Sequence, residues 1–574
     1  MLILGITNRD LAGACLVRDG EPVAAVSEER FTRVKDHLVW PERSIDFVLK
    51  AGGVSLEDVD RIAYGWSAGF DADKHLMLHV DRVIYEAFTR PESVPQLRAL
   101  LEKELSRDRK WRGEFDEWVD RHGLRSRVVY IDHHESHGLG AFLCSPFDDA
   151  LVVTCDGRGD YQSLTVTHAH SDGEEVLQRE TAVDSLGFFY GRITALLGFT
   201  PNRHEGKITG LAAKGDADLL RPLMKKMIDV EDGRIRARFG TYFQPDYRTY
   251  SQELTEEIAQ HQPADVAAAA QAHVEDILTQ VVAHHLKSAP TRNVCLAGGV
   301  FANVKLNQRI AETAGVDSLY VLPAMGDGGL PLQAAVIAEY RESGRRSRVP
   351  SMALGPDSTV SDAEVGEILR GYPGLDHRRV DDGIQEVLLQ ALEAKQVIGT
   401  YRGRMEFGPR ALGRRSVIYS TDDPSMNDWL NTRLKRTEFM PFAPITAEQL
   451  AQDCYLGWRP EDASALFMTV TYNCTEAFAK VCPAVVHVDG TARPQIVRQQ
   501  DDPFLHSLLT AWHARSGQAA LVNTSFNKHE EPIVCSLQDA LDPLQDEVVD
   551  LVLVDDVYLV WKTRDASFMD SRTA

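Results

Sequence analysis

Six consecutive residues, Asp132-His133-His134-Glu135-Ser136-His137, hold the densest set of metal-binding and proton-transferring groups in the chain. On a helix, His133 and His137 stand one turn apart on one face, a spacing at which two imidazoles can hold one cation. Taken alone, His-x-x-x-His is more often a solvated or hydrogen-bonded pair. Two carboxylates tip the balance: Asp156 ends the apolar run LVVTC, and Asp327 sits in a glycine-rich exit after SLYVLPA. Carboxylates at strand ends open into the cleft at the top of such a sheet. Two imidazoles with two carboxylates suit Fe(II), Mn(II) or Zn(II), and ligand type does not choose among them. A zinc peptidase is disfavoured, because Glu135 falls one position too late for HExxH. His134 is a candidate general base, with support of the metal site as the equal alternative.

A second set of residues could hold anions. Gly157 in CDGRGD, and Gly298, Gly299 and Asn303 in AGGVFAN, lie where strands end, and both loops resemble the phosphate and adenosine loops of actin-like and sugar-kinase-like folds. Exposed backbone amides there can meet phosphate oxygens, aided by the dipole of the following helix. Either loop alone reads as a tight turn; together, with MGDGG after them, they predict a nucleotide site. Lys207 in EGKITGLAAKG either meets a phosphate or caps a helix. Arg410, Arg414 and Arg415 gather in EFGPRALGRRS, with Lys435, Arg436, Arg493, Asn523 and Ser525 further on. Guanidinium forks match phosphate and carboxylate oxygens, so the glycine- and proline-spaced arginines predict an anion loop. There is no GxxxxGK[ST] phosphate loop and no Ser or Cys nucleophile with an organised partner.

The elements that must position these groups alternate strand and helix, the pattern of an α/β fold. Strands are predicted at 2–6, 22–26, 151–155, 293–297 and 318–322, the first two joined as a hairpin through Arg18-Asp19-Gly20. Long helices are predicted over 97–118 and 264–285. Charge, serine, glycine and proline replace apolar periodicity over 340–358, which predicts a break between two unlike domains. Further on, 384–394 reads as a helix and 396–401 as a strand entering the arginine-rich loop. No repeat is visible in the residues.

Length and composition agree with two or three globular domains. The 574 residues carry 62 Lys+Arg against 85 Asp+Glu, a formal charge of -23. That charge repels a phosphate backbone, so nucleic acid is not an expected partner. No stretch approaches the roughly 20 apolar residues needed to cross a bilayer, and the amino-terminal run reads as a buried strand instead of a signal peptide. The eight cysteines never form CxxC, which suits a reducing cytoplasm.

In this order, DHHESHGLGAF, CDGRGD, EGKITGLAAKG, AGGVFAN, EFGPRALGRRS, PFAP and NTSFN resemble the motifs of the NodU/TobZ-like O-carbamoyltransferases, over nearly the whole chain. The resemblance implies an actin-like, TsaD-type domain over 1–345, a linker over 346–360 and a YrdC-like domain over 361–574. The YrdC-like part would make carbamoyl-AMP from carbamoyl phosphate and ATP with Mg2+, releasing pyrophosphate. The actin-like part would transfer the carbamoyl group to a hydroxyl of a small-molecule acceptor, a secondary metabolite or sugar-containing compound, beside an Fe(II)-type centre. Carried over by position, the metal ligands fall on His133, His137, Asp156 and Asp327. The carbamoyl and nucleotide contacts fall on Arg410, Lys435, Arg493, Asn523 and Ser525. The resemblance is also consistent with a homodimer. Two departures stand out: Arg9 precedes Asp10 where many members have His-Asp, and Met440 precedes PFAP where many have arginine. The alternative built from the same modules is a carbamoylating tRNA-modification or protein-maturation factor, which the absence of CxxC and the acidity disfavour. Ser27 to His37 would help line the acceptor side.

Overall fold

The apolar run Leu2–Thr7 is buried at every position, which is what a strand flanked on both sides by other structure requires. The computed structural model describes residues 1–9, 11–67, 76–171, 173–246, 248–434 and 442–563, in two compact units. Unit 1 comprises Met1–Ala24 and Leu38–Val349, and unit 2 comprises Ala25–His37 and Pro350–Ala574.

Unit 1 contains two five-stranded sheets. The first is built from β1 (Leu2–Thr7), β2 (Gly13–Arg18), β3 (Glu21–Ser27), β4 (Arg61–Tyr64) and β5 (Val128–Tyr130), in the order β3-β2-β1-β4-β5. β1 pairs antiparallel with β2 and parallel with β4. The second sheet contains β6 (Asp149–Gly159), β7 (Gln162–His170), β8 (Gly173–Thr181), β11 (Asn293–Ala297) and β12 (Ser318–Val321), in the order β12-β11-β6-β7-β8. Between them in sequence, β9 (Ile228–Glu231) and β10 (Arg234–Ala237) form a separate hairpin. β6 pairs antiparallel with β7 and parallel with β11. The two sheets thus share one topology, a duplication that the residues do not reveal because the two halves no longer share side chains. This is the doubled architecture of an actin-like fold.

The predicted hairpin is corrected in its partner. Asp19 and Gly20 have φ of 51° and 88°, the left-handed pair that a two-residue hairpin turn needs. They join β3 to β2, however, and β1 lies beyond β2. The expectation had passed over GACLVR, whose five leading positions are buried.

The helix after β5, His133–Cys144, and the helix after β12, Leu330–Ser343, pack closely. A Cβ on Gly140 would lie 2.7 Å from Gln333 Cβ, so only glycine there permits the approach. The helices Val94–Arg121 and Pro263–Leu286 extend slightly beyond their expected bounds.

Unit 2 is a mixed α/β unit. Its main sheet uses β13 (Leu375–Arg379), β14 (Ile398–Tyr401), β15 (Ser416–Tyr419), β16 (Ala443–Ala447), β19 (Gln495–Val497), β20 (Ala520–Ser525), β21 (Leu551–Val554) and β22 (Tyr558–Lys562), in the order β13-β22-β21-β14-β15-β20-β16-β19. The short strands β17 (Tyr472–Asn473) and β18 (Thr491–Ala492) pair separately. Successive side chains on a strand point to opposite faces. Val417, Val522, Val552 and Val560 accordingly enter one core, and Ile418, Leu521, Leu551 and Leu559 the other. Burial on both faces explains why these strands read as unbroken apolar runs. The segment Ala25–His37 is anchored within this unit: Arg33 donates to the carbonyls of Pro532 and Ile533 at 2.8 and 2.7 Å, and Arg30 to that of Gly408 at 3.2 Å.

Candidate functional site

The local chemistry that starts the helix His133–Cys144 also aims its histidines. Asp132 caps it, accepting from the Glu135 amide at 2.9 Å. Asp160 Oδ2 accepts from the His133 amide at 2.9 Å and from the Ser67 amide at 2.8 Å. On the resulting turn His133 and His137 are wholly buried, their ring planes at 89° and centroids 4.5 Å apart. Neither Nε2 has a hydrogen-bond partner. Asp156 projects from an irregularity in β6, where the pairing with β7 shifts between Cys155 and Gly159. Asp327 begins the turn between β12 and the next helix.

These four side chains converge, with one donor atom from each lying within 4.8 Å of all the others. His137 Nε2 is 3.2 Å from Asp156 Oδ2 and 3.5 Å from Asp327 Oδ1, and His133 Nε2 is 3.6 and 3.7 Å from the same atoms. A tetrahedral ion with bonds of about 2.1 Å sets its ligand atoms about 3.4 Å apart, so the spacings suit one shared cation. Two buried nitrogens without hydrogen-bond partners, facing two carboxylates, fit the donor chemistry of a divalent transition metal. The carboxylate side chains keep 17% and 18% of their surface exposed, so the approach for a substrate lies on the aspartate side.

Supporting contacts fix the rings. Gln333 Nε2 donates to the Ala324 carbonyl at 3.0 Å, which turns its Oε1 toward His137 Nδ1, 2.9 Å away. That bond leaves Nε2 for the cation. A Cβ at Gly159 would come within 1.8 Å of the His133 ring, so any side chain there displaces the ligand. Gln333 and Asp160 were not singled out in the sequence. Asp160 had a weak signal in CDGRGD, whereas Gln333 had none.

Burial pushes the His133 imidazole well below its usual range, and the neighbouring His137 adds to this. Burial also works against charge on His137, but Asp156 and Asp327 outweigh it and raise that group to about 9. Asp156, despite burial, is held well below the carboxylate range by the two imidazoles. At neutral pH the cluster without a cation therefore holds one proton on His137. A bound cation must displace it, so ion binding at pH 7.5 is expected to release close to one proton, with affinity rising as pH climbs toward 9. Calorimetric titration with Mn(II) in buffers of different ionisation enthalpy measures this; no proton release would contradict the assignment.

The other expected residues each have local partners, and two of them touch Asp156. His134 Nδ1 is 2.8 Å from Thr154 Oγ1, and its ring is 6.4 Å from that of His137. The amides of Gly157 and Gly299 donate to Asp156 at 2.6 and 3.2 Å. Gly298 has φ of 101°, and a Cβ there would sit 2.3 Å from the Cys155 carbonyl. Asn303 caps the helix Val304–Ala311 and donates to Gln271 Oε1 at 2.8 Å. Lys207 is buried on the helix Glu205–Ala212, its ammonium 6.0 Å from the centre of the Phe199 ring.

In unit 2 the arginine-rich loop wraps around its own glutamate: Glu406 Oε1 accepts from the amides of Leu412, Arg414 and Arg415 at 2.6, 2.8 and 3.3 Å. The three arginines then part. Arg415 is wholly buried and donates to the carbonyls of Arg402, Gly403, Arg414 and Pro356. Arg414 leans toward Asp502 at 3.9 Å. Arg410 lies within electrostatic reach of Arg493. Both keep some surface open to solvent, yet desolvation pushes Arg410 down to about 10 and, with repulsion from Arg410, takes Arg493 well below the usual guanidinium range. No described carboxylate pairs with Arg493, and such a cationic pair calls for an anion. Asn523 donates to the Ala411 carbonyl at 3.1 Å and to Gln495 Oε1 at 2.6 Å, leaving its buried Oδ1 without a partner. Ser525 donates to Asn527 Oδ1 at 2.6 Å. Lys435, Arg436, Met440 and Asp10 lie outside the described residues.

Comparison with known proteins defines the class. Residues 2–336 match the model of the carbamoyltransferase N-terminus, and residues 389–561 that of the carbamoyltransferase C-terminus. The nodulation protein NolNO of Sinorhizobium fredii is 32% identical over 92% of this chain and 75% of its own length. The nodulation protein NolO of Bradyrhizobium diazoefficiens is 34% identical over 72% of this chain and 75% of its own. Among solved structures, component A of the (R)-2-hydroxyglutaryl-CoA dehydratase of Acidaminococcus fermentans is 15% identical, with a TM-score of 0.34, over 59% of this chain and 98% of that chain. A likeness this slight does not bear on function. The chain belongs to the carbamoyltransferase family, and its reaction is the transfer of a carbamoyl group. No helix among the described residues is long and apolar enough to cross a membrane.

Proposed function

We propose that the protein is an ATP- and carbamoyl phosphate-dependent O-carbamoyltransferase acting on a hydroxyl of a small-molecule acceptor. The observation that carries this reading is the convergence of His133, His137, Asp156 and Asp327 in a carbamoyltransferase chain. Unit 2 is assigned the first half-reaction. Water splits carbamoyl phosphate into carbamate and phosphate, and a carbamate oxygen attacks the α-phosphorus of ATP. Carbamoyl-AMP forms as pyrophosphate leaves. Arg410 and Arg493 neutralise the oxyanions at this step, and Asn523 Oδ1 is an acceptor for the carbamoyl NH2. Lys435 and Ser525 complete the assignment by resemblance.

Unit 1 is assigned the second half-reaction. The acceptor oxygen attacks the carbamoyl carbon, the bond to the adenylate oxygen breaks, and AMP departs. A divalent cation, Fe(II) by resemblance, would be held by the four donors and would supply Lewis acidity toward a carbonyl or phosphate oxygen. His133 and His137 keep that side of the site dry, and Gln333 holds His137 in the ligating orientation. Gly157, Lys207, Gly298, Gly299 and Asn303 remain the proposed nucleotide contacts, with Asn303 also capping its helix. His134, tied to Thr154, is proposed to brace the catalytic helix or to take the acceptor proton. The protein is expected to act in the cytoplasm, and a homodimer is consistent with the resemblance.

The test is pyrophosphate release by the purified protein with Fe(II) and Mg2+. Release requiring both ATP and carbamoyl phosphate is expected. Release with ATP alone, or none with both, would reject the adenylate route.

A further inference from the structure

A buried ion cluster beside the four donors has no part in the chemistry above. Glu104 and Asp108 stand one turn apart on the helix Val94–Arg121 and, with Arg9 and Arg158, form a neutral set whose side chains are at most 7% exposed. Arg9 Nη1 donates to Asp108 Oδ1 at 3.0 Å, and Arg158 Nη2 donates to Asp108 Oδ2 at 2.5 Å. Arg158 Nε is 3.0 Å from Glu104 Oε1. The guanidinium carbon of Arg9 lies 3.7 Å from the centre of the Trp66 ring, and the Trp66 ring is centred 4.0 Å from that of His133. Arg158 follows Asp156 by two residues.

We propose that Asp108 is a positioning residue of the metal centre, acting on His133 through Arg9 and Trp66 and on Asp156 through Arg158. The proposal rests on reading His133, His137, Asp156 and Asp327 as a metal site. Among the described residues Asp108 is the one carboxylate that accepts from both guanidiniums, so it ties together two segments that are distant in sequence. The Trp66 ring contacts both Arg9, through a cation–π interaction, and the ligand His133. Four buried charges are costly, and apolar residues of the same volume often serve stability as well. What such a cluster offers instead is fixed geometry, the role proposed for it in this protein. His137 is braced separately by Gln333, so loss of Asp108 should loosen the His133 and Asp156 half of the donor set.

Co(II) is the probe, because its visible absorption reports ligand geometry independently of turnover. Binding is measured at a temperature where circular dichroism shows each metal-free variant folded. Asp108→Asn and Trp66→Ala are expected to weaken Co(II) binding by about tenfold or more and to shift its absorption bands, while Trp66→Phe restores both. If Asp108→Asn does not fold, the Trp66 pair decides. Unchanged affinity and bands in the folded variants, with His137→Ala still losing the ion, would overturn the positioning role alone. Failure of the unaltered protein to bind Co(II) would overturn the metal reading and this proposal together.

Discussion

Replacement of His137 by alanine is expected to abolish carbamoyl transfer while leaving the fold in place. The imidazole is one of four converging donors and the closer of the two histidines to both carboxylates. A two-carboxylate, one-imidazole remnant holds a divalent ion far less well. Loss of contacts that merely orient a ligand costs about 10–100-fold in affinity, so loss of a ligand should cost at least about 100-fold. The fold should survive because alanine is the strongest helix former and because Asp132 and Asp160 still anchor the helix start. Metal content after gel filtration, circular dichroism and transfer assays separate the two effects. Normal metal content with normal transfer would show that the four donors do not form the catalytic centre.

Arg493→Met is expected to move activity and stability in opposite directions. The side chain is desolvated and repelled by Arg410 in the absence of an anion, so an uncharged residue of similar length relieves the unliganded protein. Each kcal/mol relieved should raise the midpoint of thermal unfolding by roughly 2–4 °C in a unit of this size. Carbamoyl phosphate would lose a charge-assisted contact of about 1.5–3 kcal/mol, a rise in KM of roughly 10- to 150-fold. Arg493→Lys should recover only part of it, since an ammonium lacks the planar fork. Pyrophosphate-release kinetics and calorimetry check both arms. A fall in thermal stability with unchanged KM would mark Arg493 as structural and remove it from the anion site.

The α/β class, the helical face shared by His133 and His137, and the strand exits carrying Asp156 and Asp327 were legible in the residues. Each follows from a local rule: a period of 3.6 for a helix face, or an apolar run ending in a carboxylate and glycine. The arginine-rich loop was legible as a gathering of cations, but not in its division of labour. Glu406 folds the loop around itself, Arg415 binds carbonyls, and Arg410 lies within electrostatic reach of Arg493. Gln333 and Trp66 were missed because neither residue type nor spacing distinguishes them from ordinary helix and strand-end positions.

What the sequence determined by itself is therefore the inventory: the donor types, their local geometry and the family that its motifs resemble. The tertiary structure decided which of them meet. Asp156 and Asp327 are 171 positions apart, and they reach one centre only because β11 inserts between β6 and β12 with all three strands parallel. It also assigned Ala25–His37 to unit 2 and revealed two sheets of one topology. Periodicity encodes how a segment lies against its neighbours, whereas strand order and long-range convergence depend on the packing of the whole chain.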